Sequence, residues 1–334
     1  MPELPEVQTT ATGLDRRIRD MTIIDVWTDY RSPFHVGKDN IKDPAYFAQF
    51  KKTIVGTRIA SVGRIAKNVL IRLNTGGTIL IHMKMTGHLI LGRYDFHANK
   101  ARGTDANAGS WTPTQNERPA LFDPFNRFIH FVLTLSDSNK KKAASARQLV
   151  LSDMRKFAKI TLIPKENISH GGHLDNIGPD PLDKKFDAKA FKDRLTLRPN
   201  GKIKQVLMDQ SIIAGIGNIY SDEALWRAGI HPEERVHDIS DQSITKLYTA
   251  TRFVLEKGID FGGDSMSDYR NIDGERGAFQ AEHRAYRKTG AKCSFTTRKN
   301  GKTVRCQGTI RRKMVGGRSA HFCDTHQKLI HAHP

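Results

Sequence analysis

The chain has 334 residues and a 38% hydrophobic content, which is typical of a globular protein with two or three domains. Its 54 Lys and Arg outnumber its 35 Asp and Glu, so the formal charge is +19. No apolar run is long enough to span a membrane, and we expect no leader, so the sequence favours a cytoplasmic, nucleoid-associated protein. Nucleic acid is the first partner that this charge indicates, with an ordinary basic surface as the alternative.

The amino terminus joins a removable methionine to a proline and two carboxylates. Removal of Met1 would free the secondary amine of Pro2, and an ordinary terminal amine titrates near about 7.7–8.0 and is partly neutral in the cell. A neutral secondary amine that attacks a sugar or carbonyl carbon gives an iminium ion, which is a strong electron sink. Glu3 and Glu6 would supply acid–base groups beside it, although a plain helix lead-in is the alternative interpretation.

The next elements indicate a helix followed by a sheet domain. Apolar residues recur at helical spacing from Val7 to Ile18, and short β-branched runs after them predict antiparallel strands. The predicted strands are residues 23–26, 54–62, 69–73, 78–81, 128–135, 148–152 and 160–163. We interpret the polar stretch 93–125 as a surface insertion and 139–147 as a basic loop.

Beyond a predicted linker at 178–181 the apolar period becomes helical. Helices are predicted around 186–195, 203–207 and 244–255, the last closed by Gly258.

The run Gly-Ile-Gly-Asn-Ile-Tyr at 215–220 lies between two of these helical segments. Its glycines permit a tight turn, and Asn218 falls at the expected N-cap, where its amide and the free backbone N–H groups would hold a phosphate. Lys204, one helix earlier, would contact the same nucleic-acid strand as that phosphate. An ordinary interhelical turn is the alternative.

Two turns after predicted strands carry large side chains at their tips, Met85 in one and Arg155 and Phe157 in the other. An enzyme that acts on a base inside a duplex must flip the base out and fill the gap, and these side chains suit that role. Lys67 is a candidate phosphate contact near the terminus. Core packing at strand ends and a solvated lysine are the alternatives.

The three cysteines all lie after residue 290, too few for a disulfide framework, so metal binding is favoured over three buried thiols. Cys323 and His326 have the two-residue gap of a zinc knuckle. Twelve residues separate Cys293 from Cys306. An intervening Asn-Gly pair favours a hairpin turn that would place Cys306 opposite Phe295 and bring all four ligands together.

Other histidines and several cations surround this predicted metal site. The possible substitutes for His326 as ligand are His321, His331 and His333. A hairpin between Cys306 and Cys323 would form a basic tip suited to the DNA backbone. Its cations are Arg311, Arg312, Lys313 and Arg318.

Together these motifs resemble those of the bacterial formamidopyrimidine-DNA glycosylases, and the resemblance runs from Pro2 to Gln327. The motifs that carry it are residues 2–7, 64–67, 82–87, 153–157, 178–182, 216–220, 230–232, 262–277 and 316–319 with Cys323. The resemblance implies an α+β fold: an N-terminal antiparallel β-sandwich flanked by helices, then a helical helix-two-turn-helix domain and a zinc-finger β-hairpin. The corresponding domains are residues 2–165, 183–285 and 286–330.

The resemblance also implies a bifunctional glycosylase and AP lyase of base excision repair that removes oxidised purines, such as 8-oxoguanine and formamidopyrimidines. Pro2 would be the nucleophile, Glu3 the acid–base residue and Glu6 a supporting carboxylate. Lys67, at the phosphate near the lesion, and Arg318 would complete the catalytic set. Attack on C1′ would expel the base, and successive β and δ eliminations would cut the strand.

The implied partner is double-stranded DNA with an oxidised base, bound by a monomer that holds one structural zinc ion. Met85, Arg155 and Phe157 would fill the vacated stack, with Arg155 facing the orphaned cytosine. Lys156 and Asn218 would contact backbone phosphates.

The chain departs from the family pattern in several places. Residues 93–125, 139–142 and 294–305 are extra or longer than usual, and His326 stands where a fourth cysteine is usual. The run at 264–267 loses an arginine from the loop that reads the base. Two rivals remain: an endonuclease VIII type enzyme for oxidised pyrimidines, disfavoured by Leu4, and a non-catalytic zinc-containing DNA-binding protein, disfavoured by the intact catalytic set.

Overall fold

A computed structural model describes residues 1–99, 108–137, 146–165 and 174–330. The chain has the predicted α+β fold, with N-terminal sheets, a helical region and C-terminal hairpins. It divides into two compact units, Met1–Asp175 with Phe261–Ala278 and Asn176–Asp260 with Phe279–Pro334. This division differs from the predicted three domains, because the helical region and the finger form one unit and the segment 261–278 belongs to the first.

The first unit contains two four-stranded antiparallel sheets and helix α1 (Leu4–Ile18). The first sheet has the order β1 (Thr22–Thr28), β8 (Ile129–Ser136), β9 (Arg147–Ser152), β5 (His88–Gly92). The second has the order β10 (Lys159–Ile163), β4 (Thr78–His82), β3 (Asn68–Leu73), β2 (Ile59–Ile65). Buried residues of α1 and of both sheets, such as Leu14, Ile71 and Leu133, form one apolar core. The near-continuous aliphatic runs are explained by this burial.

The predicted strand at 54–62 is wrong at its start. Ile54 ends helix α2 (Pro44–Ile54), which the strand prediction missed, and β2 begins only at Ile59. Asp43 caps α2 by accepting the Ala45 N–H, and the proline at the first position suits a helix start. Apolar side chains at helical spacing along α2, including Phe50, face the core.

The segment 93–125 is more than a polar surface insertion. It forms a hairpin of β6 (Tyr94–Ala98) and β7 (Gly109–Pro113), followed by short 3-10 turns. Tyr94 and Leu121 are buried, and the ring of Trp27 lies against those of Phe96 and Trp111, with centroids 5.8 and 6.0 Å away. This packing covers part of the first sheet. Residues 139–145 of the predicted basic loop lie outside the described residues.

The second unit joins four helices to two β-hairpins in its described part. Its helices are α3 (Ala188–Leu195), α4 (Ile203–Met208), α5 (Asn218–Ala228) and α6 (Asp241–Asp260). Its strands are β11 (Thr296–Lys299), β12 (Lys302–Arg305), β13 (Ile310–Val315) and β14 (Arg318–Cys323). Helix α6 continues through Gly258, so the predicted end there is wrong. Among the helices of the described ranges, none has the length and apolarity that crossing a bilayer would need.

Candidate active site

Helix α1 begins with two buried carboxylates that cap each other. The Glu3 N–H donates to Glu6 Oε2 at 2.7 Å, and the Glu3 side chain accepts the Glu6 N–H, which is a capping box. Both glutamates are 2% exposed. Pro2 is also buried, whereas Met1 is 40% exposed. The residues around the predicted nucleophile are therefore fixed by the start of a helix.

The segment 261–278 is attached to this helix start. The Asp264 N–H donates to Glu6 Oε1 at 2.7 Å, and the Tyr269 hydroxyl donates to the Glu6 carbonyl at 3.1 Å. Burial raises the pKa of Tyr269, so its hydroxyl stays protonated. Gly263 has φ 91°, and a Cβ there would lie 2.9 Å from Glu6 Cγ, so the close approach requires glycine. Sequence reasoning missed Tyr269, because a single aromatic residue in a Gly-rich loop carries no periodic signal.

Strand β2 directs Lys67 toward the same end of α1. The Val62 N–H donates to Asp15 near the end of α1, and Arg64 Nε donates to Gln8 Oε1 at 3.0 Å near its middle. The strand therefore runs back along the helix toward its amino end. The tight turn after it carries Lys67, which is buried.

A neutral histidine lies among lysines beside this turn. His82 Nδ1 accepts the Lys84 N–H at 3.0 Å, and burial, with Lys84 and Lys67 nearby, lowers the pKa of His82 to about 3. Lys159 pairs with His82 in the β10–β4 register, and burial and Lys84 lower its pKa. Three lysines and an uncharged imidazole make this region electropositive, which suits a phosphate.

The buried carboxylate of Asp153 joins the two turns predicted to enter the duplex. Its Oδ1 accepts the Thr86 hydroxyl at 2.5 Å, and its Oδ2 accepts the Ala158 N–H at 2.7 Å and the Tyr30 hydroxyl at 3.1 Å. Burial and Asp153 raise the pKa of Tyr30. The Arg155 N–H in turn donates to the Thr86 hydroxyl at 3.2 Å. Asp153, Thr86 and Tyr30 were not predicted, because their roles depend on partners distant in sequence.

This arrangement places the predicted stack-filling side chains on adjoining turns. Phe157 is 49% exposed, and the Arg155 guanidinium carbon lies 4.5 Å from its ring centroid. Met85 is half-buried on the neighbouring turn. Lys156 has φ 55° and its Nζ lies 3.1 Å from Asp29 Oδ2, so the turn presents its cation beside a carboxylate.

In the second unit, helix α5 begins one residue away from the predicted cap. Gly217 is the N-cap and Asn218 is the first helical residue, after a turn in which Gly215 has φ 89°. The amide oxygen of Asn218 is buried and has no hydrogen-bond partner among the described residues. Asn218 thus lies in the first turn of a helix, where the phosphate role would place it.

Lys204 is buried and lies in an ion pair. Its side chain is 0% exposed, and its Nζ lies 2.5 Å from Asp222 Oδ1 and 3.2 Å from Ser221 Oγ. Asp222 Oδ2 accepts both the backbone N–H and Nδ1–H of His321 at 2.9 Å. The DNA contact of Lys204 therefore stays a prediction, while in this structure its charge is neutralised in a buried network that joins α4 and α5 to β14.

The four predicted metal ligands meet in one cluster. Cys293 Sγ lies 3.4 Å from His326 Nδ1, Cys306 Sγ lies 3.6 Å from Cys323 Sγ, and all four ligand atoms lie within 4.8 Å of one another. Tetrahedral zinc, with bonds of about 2.3 Å to sulfur and about 2.0 Å to nitrogen, requires ligand separations of roughly 3.5–3.8 Å. The donor set and spacing therefore fit a zinc ion.

The surroundings of the cluster orient its ligands. His326 Nε2 donates to the Trp226 carbonyl at 3.0 Å, which leaves Nδ1 facing the thiols, and burial lowers the pKa of His326. The Cys306 N–H donates to the Phe295 carbonyl at 2.8 Å, so the predicted hairpin pairing is confirmed. His321 is engaged by Asp222 instead, and the histidines at 331 and 333 lie outside the described residues.

Arg318 is exposed at the start of β14, directly after the turn of the second hairpin. Gly316 and Gly317 have φ 56° and 74°, and a Cβ on Gly316 would collide with the side chain of Gln205. Lys313 in the same hairpin pairs with Glu233, whereas Arg318 has no carboxylate partner in the described part of the chain. Arg318 is thus available to an anion.

A β-sandwich that begins with a capped proline-led helix, followed by a helix-two-turn-helix region and a Cys3His hairpin, defines a class of DNA-repair glycosylases. Residues 1–160 match the formamidopyrimidine-DNA glycosylase N-terminal domain, and residues 177–270 match the formamidopyrimidine-DNA glycosylase H2TH domain. The chain belongs to the formamidopyrimidine-DNA glycosylase family.

Relatives and solved structures support this assignment over the whole chain. The formamidopyrimidine-DNA glycosylase of Pelotomaculum thermopropionicum is 32% identical over 98% of this chain and 100% of its own length. Lactococcus lactis Fpg bound to abasic-site DNA has a TM-score of 0.74 and 30% identity, covering 98% of this chain and 99% of that one. The same TM-score and identity hold for Lactococcus lactis Fpg with N7-benzyl-Fapy-dG DNA, covering 98% and 100%.

Proposed function

We propose that this chain is a bifunctional DNA glycosylase and AP lyase that uses the amine of Pro2 as its nucleophile. The observation that carries the proposal is the capped start of α1, where Glu3 and Glu6 are buried directly behind Pro2. Removal of Met1 would free the Pro2 amine next to these two carboxylates. The chain therefore has a nucleophile and an acid–base group at adjacent positions.

The reaction follows from these groups. The Pro2 nitrogen bonds to C1′ of the flipped nucleotide, the bond from C1′ to the base breaks, and the base leaves with the electron pair and takes up a proton. The Pro2 nitrogen then gives up its proton, and the C1′–O4′ bond breaks as O4′ takes up a proton, which leaves an open-chain iminium ion at C1′. This ion acidifies the C2′ proton, and loss of that proton expels the 3′ phosphate. A second elimination expels the 5′ phosphate. Glu3 moves protons at the sugar, while Lys67 and Arg318 bind the phosphates.

The proposed substrate is an oxidised purine in double-stranded DNA, bound by a monomer. The relative bound to an N7-benzyl-Fapy-dG lesion supports a formamidopyrimidine substrate. The stacked pair Arg155 and Phe157, beside Met85, supports insertion into the vacated duplex. Oxidised pyrimidines are the second candidate, since the chain lacks an arginine in the run at 264–267.

We further propose that Cys293, Cys306, Cys323 and His326 hold one structural zinc ion. The ion has no chemical step to perform and would stabilise the finger by fixing its four ligands. The chain's own residues then position Arg318, because β14 carries this arginine at one end and Cys323 at the other. The finger thereby presents a cation to the DNA backbone.

Borohydride trapping tests the proposal. Purified protein is incubated with duplexes that contain an abasic site, 8-oxoguanine, ring-opened guanine or oxidised thymine, and covalent adducts are quantified. We expect adducts with the abasic site and both purine lesions. A variant with one alanine inserted before Pro2 is the matched control, because its proline nitrogen becomes an amide. Equal trapping by the control would overturn the proposal, and adducts only with oxidised thymine would favour the second candidate.

A further inference from the structure

Five arginines of the first unit line one cavity away from the capped start of α1. The cavity has a volume of about 520 Å³, and one carboxylate, Glu117, is among its lining residues. The arginines are Arg16 and Arg17 from α1, Arg93 and Arg118 from the segment 93–125, and Arg147 from β9. With a helical rise of about 1.5 Å per residue, Arg16 lies about 20 Å along α1 from Glu3. The cavity is therefore separate from the proposed catalytic group.

Two of these arginines, Arg17 and Arg118, are held in place by Asp273. Arg17 makes a bidentate pair with Asp273, at 2.5 and 3.0 Å. Arg118 Nη2 lies 3.1 Å from Asp273 Oδ1 and donates to the Leu91 carbonyl at 2.5 Å, while its Nε donates to the Asp273 carbonyl at 2.9 Å. These bonds fix both guanidinium groups, and the ion pairs neutralise the charge of Asp273.

The other three arginines are not paired in this way. Arg16, Arg93 and Arg147 are exposed, and none has a carboxylate partner among residues 1–99, 108–137, 146–165 and 174–330. Glu117 Oε1 accepts the Arg93 backbone N–H at 2.9 Å, so this carboxylate orders the loop that carries Arg93. With Asp273 and Glu117 set against five guanidinium groups, three positive charges remain unbalanced around one concavity.

Concentrated arginines without carboxylates are suited to phosphate, because the planar guanidinium fork donates two parallel hydrogen bonds to its oxygens. A single carboxylate ligand would balance only one of three charges. Small-molecule sites have volumes of about 300–1,000 Å³, so a chain of two or three phosphates fits this space. A ligand with several phosphate charges therefore matches both the charge and the size of the cavity.

We propose that this cavity is a second phosphate-binding site, for a group that carries at least two phosphate charges. Two sources share this chemistry: a free polyphosphate, or consecutive phosphates of the duplex on one side of the lesion. The proposal does not depend on the chemistry of Pro2. The site is built partly by Arg93, Arg118 and Glu117, so it belongs to the longer segment that distinguishes this chain.

Calorimetry of the full chain with inorganic tripolyphosphate tests the first source. The test variant is Arg16→Gln/Arg93→Gln/Arg147→Gln, which keeps the two arginines that Asp273 holds. The control is Lys38→Gln/Lys52→Gln/Lys246→Gln, which removes the same charge from exposed positions elsewhere. We expect the test variant to lose at least tenfold in affinity and the control less than twofold. Glu117→Gln keeps the bond to Arg93 through its amide oxygen and is expected to bind tripolyphosphate more tightly.

Binding to lesion-free duplexes tests the second source. If the duplex supplies the phosphates, the test variant binds a long duplex more weakly than the control does, and both bind a short duplex alike. The slope of log K against log salt would then fall by up to about 0.9 for each lost contact. Either loss supports the site and identifies its ligand. Equal behaviour of test and control variants in both assays, with unchanged circular dichroism, would overturn the proposal.

Discussion

Replacing Lys204 by methionine separates a structural role from a DNA-binding role. Lys204 and Asp222 are both fully buried and their charged atoms lie 2.5 Å apart. Removing one partner of a buried pair leaves an uncompensated charge and costs about 3–5 kcal/mol. We therefore expect Lys204→Met to lower the free energy of unfolding by about 3–5 kcal/mol, measured by urea denaturation.

The double variant Lys204→Met/Asp222→Leu is the internal control for this experiment. It removes both charges, so it avoids an unpaired ion and should recover part of the lost stability, although His321 loses its acceptor. DNA binding of the folded Lys204→Met protein should keep the salt dependence of the parent. Unchanged stability together with a salt slope smaller by about 0.9 would refute this reasoning, since that result describes an exposed phosphate contact.

Three further changes follow from the same structure. Asp153→Ala leaves three donors without their acceptor and should cost about 2–4 kcal/mol in urea denaturation and weaken excision of 8-oxoguanine opposite cytosine; retained stability would contradict the bonding described. The pKa of His82 is about 3 in the folded protein and about 6.5 in the unfolded chain. The contribution of His82 to the free energy of unfolding is therefore fully present above pH 6.5 and falls by about 1.4 kcal/mol per pH unit below that pH. His82→Gln should flatten this slope in denaturation measured from pH 7 to 4. Cys306→Ala, or chelation of the parent protein, should abolish DNA binding measured by anisotropy; full binding without detectable metal would remove zinc from the finger.

The sequence predicted the elements whose conformation depends on residues that are neighbours in the chain. The Asn-Gly pair between Cys293 and Cys306 fixes a hairpin turn, with φ of 49° at Asn300 and 76° at Gly301, and this turn alone aligns two ligands. The helical period from Val7 placed α1 within a few residues of its observed start. Turn chemistry and periodicity depend on neighbours in the chain, so the sequence was sufficient for these elements.

Residues whose role depends on distant partners were not predictable in this way. Lys204 has the same composition signal as a surface lysine, and its burial follows only from Asp222, on the next helix. Asp153 looks like a turn residue until Thr86 and Tyr30, 67 and 123 residues away, are brought to it. The return of the segment 261–278 to the first unit likewise depends on bonds to Glu6. Tertiary contacts, rather than local propensity, decide these positions.

Mass spectrometry of the borohydride-trapped complex with abasic-site DNA tests the central claim most directly. Peptide mapping should find Met1 removed and the reduced sugar attached to the nitrogen of Pro2. Full strand cleavage by protein that still carries Met1, or attachment of the sugar to Lys67 with Pro2 unmodified, would contradict the account.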